Sequence, residues 1–303
     1  REAIRPSSTR AAGRFQVEWK TAEVVPVDAA SVAGRRYLVV SDSQSAADRV
    51  VARLQHWGAT CTVVVHGASS QVPSAQSFTV NLDNADEVRD VLTSVITGSE
   101  RIDTVFYVSL AGAGGEDTPP AMAERDCTRL LHIVQVGAQF DLTNGPSLCV
   151  VTRGAQAVGQ PANAVDPAKS ALWGMATVLA LEHSEWRTVL IDLDRWSAAD
   201  QLEHAVDDVL SSAGLGPEQF ENRIAYRDGT RYVARLAAAQ VDAQADPAPI
   251  RSDASYLVVG GVGGVGLKLA TWLADHGAGT IVLTSRRGLI SEAAAAAIGQ
   301  LQQ

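Results

Sequence analysis

The chain has 303 residues, of which 46% are apolar and 19% are charged, a balance typical of a globular protein with room for two domains. Its formal net charge of −9 argues against nucleic acid or an anionic membrane as a partner. Residues 1–13 lack the apolar core of a secretory signal, and no apolar run reaches the length of a membrane span. Three cysteines without paired spacing, Cys61, Cys127 and Cys149, are expected to be reduced, so a cytoplasmic protein is predicted.

Strands and helices are predicted to alternate along most of the chain. The polar residues 1–13 are predicted to form a linker, and residues 15–20 alternate apolar and polar side chains as a half-buried strand does. Further strands are predicted at 36–40, 61–65, 105–109, 147–152 and 188–193. Helices are predicted at 46–57, 85–96, 123–140 and 168–183. This alternation is typical of a parallel, doubly wound sheet.

A change in composition after this region predicts a domain boundary. Residues 223–226 and 230–236, joined by an Asp-Gly pair, are predicted to form a β-hairpin. Residues 237–252 contain two prolines and few large side chains, so a linker is predicted there. We therefore expect a structural domain at 14–236 and a second domain that begins at 253.

The second domain begins by repeating part of the first. The sequence Tyr-Leu-Val-Val at 37–40 reappears at 256–259, and Leu54 in the following helix is matched by Leu273. An apolar strand then follows in each copy. The repeat predicts two copies of one strand-turn-helix-strand unit.

The two copies differ in the turn that follows the strand. The second copy has Gly260, Gly264 and Gly266 in the spacing G-x-x-x-G-x-G, the variant that short-chain dehydrogenases use. In a dinucleotide-binding unit such glycines permit a tight turn, close approach of the pyrophosphate and close packing of helix on strand. The helix N-terminus offers free N–H groups to the phosphates. The predicted cofactor-binding turn consists of Gly260, Gly261, Val262, Gly263, Gly264, Val265 and Gly266.

The residues after the second strand of this copy favour one nicotinamide cofactor. Dinucleotide sites place there either a carboxylate for the ribose of NAD or a basic group for the 2′-phosphate of NADP. Here Ser285, Arg286 and Arg287 follow, and no acidic residue is near, so NADPH is predicted. A P-loop for nucleoside triphosphates is excluded because Leu267, not lysine, follows Gly266.

The first copy is not expected to bind a nucleotide. Residues 41–47 contain no glycine, and Asp42 would set a negative charge against a pyrophosphate. His66 and Gly67 stand where the second copy has Ser285 and Arg286, so the basic group is replaced. We therefore predict a degenerate unit that serves as a scaffold.

The second copy is expected to be incomplete. Residues 253–303 suffice for a strand, a helix, a strand and one alanine-rich helix at 291–301, whereas a doubly wound sheet needs two to four times that length. The predicted fold class is therefore α/β, with two Rossmann-like, doubly wound parallel-sheet subdomains, the first degenerate and the second incomplete.

No catalytic or metal site is predicted in this chain. Ketone reduction in the short-chain dehydrogenase superfamily uses a tyrosine as proton donor with a lysine four residues later, and no tyrosine here is followed by lysine at that distance. The histidines have no metal-ligand spacing. Asp166 and Pro167 are interpreted as the N-cap and first residue of a helix.

Several motifs together resemble the ketoreductase domain of modular type I polyketide synthases. They are Val-Val-Thr-Arg-Gly-Ala at 150–155, Asp-Pro-Ala-Lys-Ser-Ala-Leu-Trp-Gly at 166–174, Ile-Asp-Leu-Asp at 191–194, and the segment 256–288. The resemblance covers nearly the whole chain. It implies a structural subdomain that has lost cofactor binding and buttresses a catalytic subdomain, of which 253–303 is the start.

The resemblance also implies an activity and its partners. The family uses NADPH to reduce the β-ketone of an acyl chain held on the phosphopantetheine of an acyl carrier protein, beside neighbouring synthase domains. At matching positions, Gly260, Gly264 and Gly266 hold the pyrophosphate, and Ser285 with the two following arginines contacts the 2′-phosphate. The family's catalytic Tyr, Lys and Ser would lie beyond Gln303, in the remainder of the catalytic subdomain. An alternative is a ketoreductase-like scaffold without activity.

Overall fold

The computed structural model describes residues 15–68, 71–74, 76–98, 102–112, 118–139, 147–159, 165–195, 200–212, 220–239, 250–286, 288 and 292–301. Phe15–Ala238 forms one compact unit, called here the N-terminal unit. The residues described after Ala238 belong to a second compact unit, called here the C-terminal unit.

Twelve strands and eight helices are described. The strands are β1 (Phe15–Thr21), β2 (Arg36–Ser41), β3 (Thr60–His66), β4 (Gln71–Ser74), β5 (Ser77–Val80), β6 (Thr104–Val108), β7 (Ser147–Arg153), β8 (Val189–Leu193), β9 (Arg223–Arg227), β10 (Thr230–Ala238), β11 (Ser255–Val259) and β12 (Thr280–Thr284). The helices are α1 (Ala29–Val32), α2 (Gln44–His56), α3 (Ala85–Gly98), α4 (Pro119–Gln139), α5 (Pro167–Glu182), α6 (Asp200–Ser212), α7 (Gly264–Asp275) and α8 (Glu292–Leu301).

The N-terminal unit contains one ten-stranded sheet in the order β1-β10-β9-β8-β7-β6-β2-β3-β5-β4. The strands from β5 through β3, β2, β6, β7 and β8 to β9 all run parallel, and antiparallel strands extend both edges. Chain order reverses between β2 and β6, which is the topological switch point of a doubly wound sheet. The sheet confirms the predicted α/β class.

Helices cover both faces of this sheet. Val39 and Leu54 belong to a core cluster that includes side chains of α2 and α6, whereas Leu38 and Leu130 belong to a second cluster with α3, α4 and α5. Neighbouring residues of one strand enter different clusters because side chains alternate between the faces of a sheet. All four of these residues are at most 2% exposed.

The predicted elements of the N-terminal unit are confirmed, with shifted ends and four omissions. Helix α4 begins at Pro119, four residues before the prediction, because proline fits the first turn of a helix. Strand β10 extends through Ala238, two residues into the predicted linker, because β1 pairs with it that far. Four short or polar elements, α1, β4, β5 and α6, were not predicted.

The C-terminal unit has the repeated strand-turn-helix-strand unit as predicted, followed by α8. Strand β11 pairs in parallel with β12 in a two-stranded sheet. Leu257 and Val259 are 64% and 82% exposed, whereas their repeat equivalents Leu38 and Val40 are buried. The difference arises because side chains of α3, α4 and α5 cover Leu38 and Val40, whereas the described residues leave the matching face of β11 exposed.

The described residues offer neither a membrane span nor a metal cluster. None of their helices is both long enough and apolar enough to cross a membrane. Within the same residues, no group of three or more histidine, cysteine or acidic side chains could hold a metal ion. Cys61 and Cys149 are buried thiols, and Cys127 is half-buried.

Candidate nucleotide site and its counterpart

The glycine turn of the C-terminal unit connects β11 tightly to α7. Gly260 has φ of 75°, a conformation that glycine adopts without the penalty other residues have. The Gly263 amide donates to the Gly260 carbonyl at 3.0 Å, and the Leu267 amide donates to Gly263 at 2.9 Å. The second bond closes the first turn of α7.

Gly266 allows this helix to pack directly against the turn. A Cβ atom built at Gly266 would lie 2.6 Å from both the Gly260 oxygen and the Gly261 Cα. Gly264 differs, since a Cβ there would have no neighbour within 4 Å. One glycine is thus required by internal packing, and the other leaves backbone open to an approaching ligand.

The first turn of α7 is suited to an anion. N–H groups at the start of a helix precede the first hydrogen bond of the helix ladder and carry its positive dipole end. The first turn of α7 contains no acidic side chain, and Val265 is 84% exposed. This geometry has the features of a phosphate-binding helix start.

The end of β12 lies beside the glycine turn. Val259 pairs with Thr284, and the Gly261 amide donates to the Thr284 carbonyl at 3.0 Å. Ser285 follows directly, with its hydroxyl donating to the Gly288 carbonyl at 2.9 Å, and Arg286 is exposed. The structure therefore brings the turn and the start of the predicted 2′-phosphate segment together.

Two further features complete this region. Arg287, the second predicted arginine, lies outside the described residues. A cavity of about 500 Å³ is lined by aliphatic side chains of β12 and α8 and also by Val262 and Ser285. The cavity also reaches Ala278 and Gly279 at the other end of β12, so it follows the strand and touches the predicted binding region only at its end.

The equivalent turn of the N-terminal unit is built around a carboxylate. Asp42 stands at the repeat position of Gly261, and its side chain is 3% exposed. It accepts hydrogen bonds from the amides of Leu110 and Ala111, both at 3.1 Å, and from the Ser109 hydroxyl at 3.2 Å. The sequence predicted only that Asp42 sets a negative charge in this turn, and it did not predict that the carboxylate faces inward.

A buried lysine lies behind Asp42, and its partners were not predicted from the sequence. Lys169 on α5 is 2% exposed, and its Nζ donates to Ser109 Oγ at 2.7 Å and to Asp126 Oδ2 at 2.8 Å. The same Nζ lies 3.8 Å from Asp42 Oδ2. The only sequence signal was a charged residue within an apolar helix, which does not identify its partners.

Among the described hydrogen bonds, none joins Lys169 to a tyrosine hydroxyl that could act as a proton donor. Tyr107 donates its hydroxyl to the backbone carbonyl of Asp126 at 3.3 Å. Burial, together with the nearby Asp126 carboxylate, raises the pKa of Tyr107 well above its usual range. Tyr107 is therefore a neutral, internally bonded core residue.

Two family models match this chain, one over the N-terminal unit and one over the C-terminal unit. A family model described as the Rossmann-fold domain of the polyketide synthase extender module SpnB matches residues 5–236. A second model, described as the KR domain, matches residues 254–303.

The chain is similar to parts of much longer synthase polypeptides. One polypeptide of the phenolphthiocerol/phthiocerol polyketide synthase of Mycobacterium tuberculosis is 30% identical over 274 residues, which cover 90% of this chain and 16% of that polypeptide. Another polypeptide of the same synthase is 41% identical over 141 residues, which cover 46% of this chain and 7% of the relative. The chain thus spans a small part of the length of these relatives.

Solved structures give the same relationship. A-type ketoreductases from a modular polyketide synthase have a TM-score of 0.65 and 28% identity, over 96% of this chain and 56% of theirs. An A1-type ketoreductase has a TM-score of 0.62 at the same identity and the same coverage. With the family model that matches most of its residues, the chain belongs to the ketoreductase domains of modular polyketide synthases, as the sequence motifs predicted.

Proposed function

We propose that this chain contributes the structural subdomain and the start of the cofactor-binding subdomain of an NADPH-dependent β-ketoacyl reductase. The single observation that carries the proposal is the glycine turn of the C-terminal unit, hydrogen-bonded to the end of β12 where Ser285 and Arg286 follow. A turn in which one glycine packs inside and another stays open fits a pyrophosphate.

Residues 260–266 would hold the pyrophosphate through backbone N–H groups at the start of α7. Ser285 and Arg286 would contact the 2′-phosphate, together with Arg287, which lies outside the described residues. An exposed guanidinium without an acidic neighbour in the sequence favours a phosphate over the ribose hydroxyl of NAD. NADPH, when bound, supplies the hydride for ketone reduction.

The proposed substrate is a β-ketoacyl group on the phosphopantetheine of an acyl carrier protein, and the product is the β-hydroxyl. The partners are that carrier protein, the neighbouring synthase domains and the remainder of the catalytic subdomain. No residue of this chain is proposed as proton donor, since its sequence has no Tyr-x-x-x-Lys. We therefore expect no turnover from this chain by itself.

A scaffold without activity is the second candidate. The N-terminal unit, whose turn contains Asp42 in place of a glycine and is closed by hydrogen bonds to that carboxylate, is a scaffold under both candidates. The candidates differ only in whether the completed catalytic subdomain is active. A full domain that carries the tyrosine and lysine would contradict this alternative. A full domain in which both are replaced would contradict the reductase proposal.

Charge reversal at Arg286 tests the cofactor. In the full domain, Arg286→Glu should weaken NADPH binding by about tenfold or more, the loss of one charge-assisted contact, and should leave NADH binding nearly unchanged. Lys268→Glu, an exposed reversal on α7, is the matched control. Calorimetric titration measures both.

Two results would contradict the assignment. One is an absence of detectable NADPH binding to the full domain at millimolar cofactor, which would remove the glycine turn as a nucleotide site. The other is an equal loss of NADPH and NADH affinity in Arg286→Glu. That second result would retain the turn and reject the 2′-phosphate contact.

A further inference from the structure

The N-terminal unit has a crevice where its fold places a ligand. In open α/β sheets, ligands bind beyond the carboxyl ends of the strands at the switch point. Here β2 and β6 are neighbours, and the helices that follow them, α2 and α4, belong to cores on opposite faces. The crevice between these two strand ends is the counterpart of the glycine turn's site in the C-terminal unit.

Asp42 spans this crevice from β2 to the segment after β6. Its two carboxylate oxygens accept from two successive backbone amides, Leu110 and Ala111, and from the Ser109 hydroxyl. Successive backbone N–H groups and a hydroxyl are donors that phosphate oxygens use in proteins. The donors that an entering phosphate needs are thus already bonded to a carboxylate.

The charge balance behind Asp42 also depends on its carboxylate. The ammonium of Lys169 lies close to two carboxylates, since Asp126 is hydrogen-bonded to it and Asp42 is 3.8 Å away. Arg125 Nε in turn lies 3.6 Å from Asp126. Loss of the Asp42 charge would therefore leave the buried Lys169 ammonium with one neighbouring carboxylate, Asp126, in place of two.

The mouth of the crevice adds further positive charge. A cavity of about 290 Å³ there is lined by Asp42, Arg49 and Arg153 and by residues of the first turn of α2. In the described part of the chain, Arg49 Nη2 and Arg153 Nε have no hydrogen-bond partner, although Arg49 lies 3.9 Å from Glu203. Apart from Asp42, this cavity is suited to an anion.

We propose that Asp42 is an internal anion that holds the phosphate position of the N-terminal crevice and thereby closes it to nucleotides. The carboxylate satisfies the loop amides and the buried lysine within the chain itself. One side chain, rather than only the lack of glycines, makes the N-terminal unit a scaffold. This inference concerns the N-terminal unit alone and does not rest on the proposed cofactor of the C-terminal unit.

The test is the number of inorganic pyrophosphate equivalents bound per chain, measured by calorimetric titration of the whole chain. Asp42→Gly introduces the residue found at the repeat position in the C-terminal unit, and we expect it to bind one more equivalent than the wild type. Asp42→Asn, which keeps one acceptor for the loop amides, should gain the same equivalent with weaker affinity and decides the question if Asp42→Gly does not fold. Asp48→Asn removes an exposed charge from α2 and should gain none.

Two outcomes overturn the proposal. The first is a folded Asp42→Gly or Asp42→Asn chain that binds no more pyrophosphate than the wild type and Asp48→Asn. The second is a wild type that already binds two equivalents, because its N-terminal crevice would then be open. A wild type that binds none leaves the comparison intact, because each variant is then measured against zero. The C-terminal site is tested by NADPH binding to the full domain, so the two proposals fail separately.

Discussion

Replacing Lys169 by methionine is expected to destabilise the N-terminal unit strongly. Lys169 and Asp126 are 2% and 1% exposed, and their charged atoms are 2.8 Å apart. Methionine approximates the length of the lysine stem but removes the charge and its hydrogen bonds. The substitution leaves Asp126 and Asp42 as buried carboxylates without the ammonium.

The size of the loss follows from that burial. Removing one partner of a buried ion pair costs about 3–5 kcal/mol, because the remaining charge is no longer compensated. Arg125 remains 3.6 Å from Asp126 and offsets part of this cost, so we expect about 3 kcal/mol. Adding Asp126→Asn to Lys169→Met removes one uncompensated charge and should recover about 1–2 kcal/mol.

Urea unfolding followed by tryptophan fluorescence measures the change, since Trp272 is the only tryptophan in the sequence after residue 238. The midpoint for Lys169→Met should fall by about 1 M. Lys20→Met, at an exposed lysine that pairs with Glu18, is the control and should change the midpoint little. A Lys169→Met midpoint equal to that of the control, or no recovery in the double variant, would refute the reasoning.

Two further predictions concern acid and thiol reagents. Burial and Arg129 lower the pKa of His66 from 6.5, and the hydrogen bonds from Arg129 lower the pKa of Asp83 from 3.8. In both cases the unfolded chain binds the proton more readily than the folded chain does. Each group therefore contributes its full stabilisation above its ordinary pKa, 6.5 for His66 and 3.8 for Asp83, and loses it as the pH falls below that value. Unfolding at a series of pH values should show the decline below about pH 6.5 flattened in His66→Asn and unchanged in Asp48→Asn. For the thiols, burial raises the pKa of Cys61 to about 12 and raises that of Cys149 further, so mass-spectrometric labelling at pH 8 should modify half-buried Cys127 first. Labelling of Cys149 before Cys127 in the folded chain would contradict this burial.

Much of the fold could be predicted because the signals are local. Strand and helix periodicity located most of the parallel strands and most of the long helices, and the repeat at 37–40 and 256–259 identified the duplicated unit. Helix α6 was not predicted because polar residues surround its buried Leu202, Val206 and Leu210, and its core partners come from distant strands. Helix ends also shifted, since caps and strand pairing determine them.

The two candidate sites differ in the same way, since one depends on local sequence and the other on contacts between distant segments. The glycine turn was predicted because its residues are consecutive and each glycine has a local role in the turn. The Asp42 cluster was not predicted because Asp42, Ser109, Asp126 and Lys169 come from four separate segments. Only a sheet that places β2 beside β6 brings the first two together.

The sequence by itself determined most of the strands and helices, the duplication and the glycine turn, because these depend on side-chain spacing and on backbone freedom at glycine. Tertiary structure alone decided that Asp42 turns inward to bind the loop after β6, and that Lys169 lies buried behind it. The physical reason is that strand order is set by non-local packing of helices on both faces of the sheet. That order, and not the local sequence, decides which charges are buried together.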